Sequence, residues 1–174
     1  MTTGRYILLV IGMVVIFSGG FVYYKMGGFN SPELSIIKST PYTIVGKSYT
    51  GRMNEKAFGK LFEDAEGLIK TGKVKGQVCA WFENNAEAVK DTVKAFIGVS
   101  TDVIPSTVPE GFSVKQIPIR YVAQAHIKAH YMLTPKVYPK LKDFAKEQGK
   151  PVNDAPALEL YKTENDVIIQ LPVK

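Results

Sequence analysis

The sequence predicts an α+β fold: duplicated strand-helix-strand-strand units forming an antiparallel sheet, helices on one face, and one transmembrane helix ahead of them. Three observations carry this. After residue 30 the chain repeats itself: Ser35-Ile36-Ile37-Lys38 through Ile44-Val45-Gly46-Lys47 matches Ser113-Val114-Lys115-Gln116 through Val122-Ala123-Gln124-Ala125, displaced by 78 positions (113 − 35). Phe58-Gly59-Lys60-Leu61 matches Tyr138-Pro139-Lys140-Leu141, and Val78-Cys79-Ala80-Trp81 matches Leu158-Glu159-Leu160-Tyr161, displaced by 80 (138 − 58). Within each repeat, one stripe of period 3.6 lies among stretches of period 2. Before both runs an uncharged apolar segment, Tyr6 to Tyr24. Two matching supersecondary units stack around one core, and a cleft between them suits a small molecule.

The apolar segment comes first. Its nineteen residues, Tyr6 to Tyr24, are just enough for a spanning helix, which needs about 20. Tyr6, Tyr23 and Tyr24 fall where an aromatic belt lies, with Arg5 and Lys25 at the ends. Residues 1–25 therefore read as a single-pass membrane anchor. The alternative is a cleaved signal peptide, with Ser18 and Gly20 as the small residues before a mature start at Phe21. A very short N-terminal tail stays in the cytoplasm, which would place the rest of the chain outside.

Residues 26–32, with Gly27, Gly28, Asn30 and Pro32, read as a flexible spacer. The domain proper is 33–174, with halves 33–104 and 112–174. Glu33 to Gly51, rich in Ile, Thr, Tyr and Val, is extended. Ala57, Phe58, Leu61, Phe62, Ala65, Leu68 and Ile69 form a helical stripe, with Asn54 as its cap and Gly72 as its stop. Gln77 to Glu83 alternates as a strand. Lys90 to Ser100 fits a helix or a buried strand, and the match to Val167-Ile168-Ile169-Gln170-Leu171 selects the strand. Pro105 to Gly111 links the halves. Phe112 to His130 is extended again. Thr134 and Pro135 start a helix with the stripe Val137, Tyr138, Leu141, Phe144 and Ala145, ended by Gly149. Strands Ala157–Thr163 and Asp166–Val173 close the chain around Asn165-Asp166.

Ala157-Leu158-Glu159-Leu160-Tyr161, then Val167 through Val173 with its closing Leu171-Pro172-Val173, resembles the gyrase-inhibitor-like (GyrI-like) small-molecule-binding family. Trp81-Phe82-Glu83-Asn84-Asn85 followed by Ala95-Phe96-Ile97-Gly98-Val99 agrees in the first half. The resemblance implies a ligand-binding module like those of multidrug-responsive regulators and stand-alone binding proteins. A few relatives are hydrolases. By motif, the family's pocket glutamate maps onto Glu159.

Alternation along the strand puts Leu158 and Leu160 on one face and Glu159 and Tyr161 on the other. The leucines are expected to cover the helices, leaving Glu159 and Tyr161 on a cleft-side face with Cys79 and Trp81 as their counterparts. A carboxylate among aromatic rings suits a flat or cationic organic ligand. Glu159, Tyr161, Trp81 and Cys79 are therefore the candidate ligand-binding residues. The expected function is non-catalytic binding of an amphipathic or cationic organic molecule. The alternatives are a hydrolase using Glu159 as general acid or base, and a membrane-tethered adaptor.

Other chemistries find little footing. Cys79 is the only cysteine, so no intrachain disulfide forms. His126 and His130 lie on a strand pattern, where four residues separate the rings by about 13 Å, too far to share an ion. No cofactor motif, phosphate loop or nucleophile elbow occurs. The net charge of +6 comes largely from helix faces such as Lys140, Lys142, Lys146 and Lys150, a solvated surface or one facing anionic lipid. No helix-turn-helix, zinc finger or aromatic RNA-binding signature is present, so nucleic acid is not an expected partner.

Overall fold

The computed structural model describes residues 3–84 and 92–174, with side chains from Ile11 onward. Asn85 and Lys90, used in the sequence reading, lie outside the described residues, as do the side chains of Arg5 and Tyr6. The elements are α1 (Thr3–Lys25), β1 (Glu33–Lys38), β2 (Tyr42–Arg52), α2 (Lys56–Lys70), β3 (Gln77–Phe82), β4 (Thr92–Thr101), β5 (Ser113–Ile117), β6 (Tyr121–Ile127), a 3-10 turn (Tyr131–Lys136), α3 (Val137–Glu147), β7 (Ala157–Thr163) and β8 (Asp166–Pro172).

All eight strands join one antiparallel sheet in the order β1-β6-β8-β7-β3-β4-β2-β5. Each half thus has one strand more than expected, because both long extended stretches break. The breaks allow an exchange. β1 leaves its own half to pair with β6, Glu33↔His126 through Lys38↔Tyr121. β5 pairs in return with β2, Tyr42↔Ile117 through Gly46↔Ser113. The connections meet where Ser39 N–H donates to Arg120 O at 2.8 Å and Arg120 N–H donates to Ser39 Oγ at 3.2 Å. Each half keeps a three-stranded sheet of its own, β3-β4-β2 and β6-β8-β7, and takes its edge strand from the other.

Both helices lie on one face of the sheet. Under α2, Ala65 and Leu68 pack on Val45, Val74 and Val99. Under α3, Leu141 and Ala145 pack on Ala123, Ala125, Ile169 and Leu171. Leu141 is wholly buried, so Leu141→Ala is expected to cost about 2–5 kcal/mol, read as a lower urea midpoint at unchanged slope. The helix ends correct the sequence reading in part. Gly72 and Gly149 do follow the helices, at φ +70° and +67°. Asn54 is not the cap of α2: Glu55 holds that position with no side-chain bond. Thr134 and Pro135 fall inside the 3-10 turn, which His130 caps by accepting from Met132 N–H at 3.3 Å; α3 starts at Val137 after Lys136, which makes no side-chain capping bond.

The opposite sheet face is also buried. Ile44, Cys79, Phe96, Ile117, Leu158 and Leu160 form its core, with Tyr42, Trp81 and Ile168 packed against them. Burial on both faces is why strand alternation misleads here.

Residues 26–30 are not a free spacer. Met26, Gly27, Gly28 and Asn30 form consecutive backbone hydrogen bonds to Val22, Tyr24, Tyr23 and Gly27. They form the turn, with Gly27 at φ +74°, that ends α1 and leads into the domain. Among the described residues no helix is long and apolar enough to cross a membrane, the described side chains of α1 being only those from Ile11 to Lys25. The expected span therefore lies partly outside them.

Candidate functional site

Between α2 and α3 the middle of the sheet is uncovered. β3 and β7 pair there, Val78↔Tyr161 and Ala80↔Glu159, and form the floor of a cavity of about 1060 Å³. Phe58 and Phe62 of α2 form one wall, and Tyr131, Met132 and Tyr138 of the 3-10 turn and α3 form the other. The cavity therefore takes residues from both halves.

Glu159 lies buried in this floor. Tyr138 donates its hydroxyl to Oε1 and Tyr161 donates to Oε2, each at 2.5 Å. Burial pushes the Glu159 carboxyl above its ordinary range, while the two phenol donors pull the other way. Burial and the adjacent carboxylate push both phenols well above 10, so they remain donors at any physiological pH. The Tyr161 ring meets Phe62 edge-on at 5.7 Å and Tyr131 at 6.5 Å. Among the described residues, no lysine or arginine lies within ion-pair distance of Glu159. Its polar partners are these two phenols, and among the described residues it has no cation of its own.

Two of the four expected residues meet here and two do not. Glu159 and Tyr161 line the cavity. Cys79 and Trp81 pair with Leu160 and Leu158 and point with them to the opposite face. There Cys79 is buried and its thiol is pushed up to about 12, while Trp81 carries the Arg120 guanidinium at 4.4 Å. The sequence reading had the faces reversed, because it assigned the leucines to the helices. A displacement of 80 is also excluded for this strand pair. A two-fold axis through a sheet keeps each side chain on its face, which requires an odd displacement. The cross-strand neighbours of Glu159 and Tyr161 are Ala80 and Val78.

Tyr138 was legible only as one residue of an apolar stripe. A tyrosine where leucine would serve does mark a buried position that needs a polar partner. Phe58, Phe62, Tyr131 and Met132 carried no comparable mark.

His126 and His130 do not meet. His126 Nε2 lies 2.7 Å from Asp166 Oδ1, and His130 caps the 3-10 turn. Among the described residues no group of three or more His, Cys, Asp or Glu could hold a metal ion.

Residues 32–174 match the model of the GyrI-like small molecule binding domain. The chain belongs to this family. Several solved structures resemble it in fold. One is SAV2435 bound to tetraphenylphosphonium, at 12% identity and TM-score 0.57, covering 82% of this chain and 94% of that one. The C-terminal domain of EcmrR, at 13% identity and TM-score 0.61, covers 82% and 98%. EcmrR has also been seen in complex with DNA. A hydrolase from Listeria innocua, at 11% identity and TM-score 0.57, covers 87% and 98%. Likeness at these identities establishes the fold alone. No curated protein matches the chain.

Proposed function

We propose that this GyrI-like domain binds, without transforming it, an amphipathic or cationic organic molecule in the cavity between its two halves. The observation that carries the reading is Glu159: buried, held by two phenols, and lacking a cation. An aromatic cation would supply the missing charge and stack on Phe62, Tyr131 and Tyr161. Tetraphenylphosphonium, the ligand of SAV2435, is the natural probe. Calorimetric titration should show saturable one-site binding. A panel of aromatic cations that all fail to bind, while neutral amphipaths do, would remove the charge from the argument. Trp81→Phe should leave the affinity within about twofold, since Trp81 lies on the other face.

A hydrolytic reading is the second. It needs Glu159 to activate water, but both its oxygens already accept from tyrosines. Loss of a bound ester over hours, abolished by Glu159→Gln, would favour it.

The domain is held at a membrane by α1 in this reading. Successive residues Met13, Val14, Val15, Ile16 and Phe17 are all exposed, Phe17 by 75%. Five consecutive positions cover every side of a helix, so no one face can be buried on the domain. Leucine, isoleucine, valine and phenylalanine each favour insertion by roughly 0.3–0.6 kcal/mol at a span's centre. The full chain should resist carbonate extraction, and removing residues 1–30 should release the domain into the supernatant. A full chain that is itself extracted, or a mature form starting at Phe21, overturns the anchor.

A further inference from the structure

The end of α1 is bonded to the wall of the cavity. His130 N–H donates to Met26 O at 2.8 Å, and Asn30 Nδ2 donates to Lys128 O at 2.5 Å. Lys136 Nζ donates to Tyr23 Oη at 3.2 Å and sits 4.5 Å from the centre of that ring. Phe29 packs edge-on against Tyr23 at 5.0 Å. The residues directly after His130, Tyr131 and Met132, line the cavity and are 47% and 64% exposed. Cavity lip and helix end are thus one hydrogen-bonded unit.

We propose that this lip is a membrane-docking surface, seated in the anionic headgroup layer of the bilayer. The proposal rests on α1 spanning that bilayer. Tyr23, Tyr24 and Lys25 then mark the interface, where such residues collect. The headgroup layer is about 5–7 Å deep on each side, and successive Cα atoms are about 3.8 Å apart. Tyr131, one residue from the Met26 contact, falls within that depth, and Met132, two residues away, lies near its edge. Lys25, Lys128, Lys136 and Lys140 are exposed around them, and Lys136 and Lys140 line the small cleft against Tyr23. An exposed tyrosine and methionine on the same helix end and turn as exposed lysines is the composition of a surface that meets anionic phospholipid. The cavity would open at that level, to molecules dissolved in the leaflet.

Depth-dependent quenching tests this on the full chain in vesicles of phosphatidylcholine and phosphatidylglycerol. The one native cysteine, Cys79, is buried and will not label, so single cysteines at Val15, Met132 and Val103 can each carry a fluorophore. The Val15 label should be quenched by nitroxides on acyl chains. The Met132 label should be quenched at least twofold by nitroxides on headgroups, and the Val103 label, on the loop after β4, by neither. A quenched Val15 label with a Met132 label as bright as that at Val103 overturns the docking surface and leaves the span standing. An unquenched Val15 label overturns the span and the surface with it. Lys128→Glu with Lys140→Glu should at least halve Met132 quenching without changing Val15, and unchanged quenching would remove the lysines from the surface.

Discussion

Glu159→Gln is expected to weaken tetraphenylphosphonium binding at least about thirtyfold, or about 2 kcal/mol. The substitution keeps the shape and one tyrosine's donation, to the amide oxygen; the amide N–H₂ must donate to the other phenol oxygen instead, and the charge is removed. Stability should move the other way. The folded-state pKa of Glu159 is raised, so the native state holds the proton more tightly than the unfolded chain does. Stability therefore falls as pH rises from the unfolded value toward the folded one, and stays low above it. The glutamine variant lacks this slope. It should melt higher than the wild type at neutral to alkaline pH and show no advantage in acid, below the ordinary carboxylate range. Wild-type affinity for the cation should fall as pH drops through the folded pKa, because the ligand needs the carboxylate. Equal affinity of both proteins across pH would show that Glu159 is not the cation's partner. A melting advantage that persists in acid would show that its burial costs nothing.

Gly98→Ala is expected to destabilise the domain by about 3 kcal/mol or more, a cost of the kind met when backbone cannot yield to added volume. Gly98 of β4 pairs with Gly46 of β2. A Cβ at Gly98 would stand 2.1 Å from Val45 O and 2.4 Å from Gly46 Cα. Both neighbours are backbone of a paired strand, so only the pairing itself can give way. The glycines permit β2 to curl closely over β4 on the face opposite the helices. Gly59 and Gly67 of α2 provide the control, since a Cβ at either meets nothing within 4 Å. Gly→Ala there should stabilise by about 0.5–1 kcal/mol. Urea unfolding of the three variants would decide. A Gly98→Ala protein as stable as the parent would mean that the close approach of β2 and β4 is dispensable.

Periodicity and repetition were local properties, and the sequence determined what depends on them. The order of strands and helices, the strand nature of Thr92–Thr101, the glycine stops after both helices and the candidacy of Glu159 were all legible. The duplicate supplied a second copy wherever one stretch was ambiguous. Three things were decided only by tertiary structure. Which face of β7 meets the helices was one: Leu158 and Leu160 are buried on the far face and Glu159 on the near one, so a hydrophobic–polar alternation no longer marks inside and outside. The exchange of β1 and β5 was another, because strand pairing across 67 or more residues (113 − 46) is fixed by long-range register and not by local preference. The third was the cavity itself. Its aromatic walls come from separate helical segments, and the bond from Tyr138 to Glu159 exists only once α3 stands beside the floor strand β7.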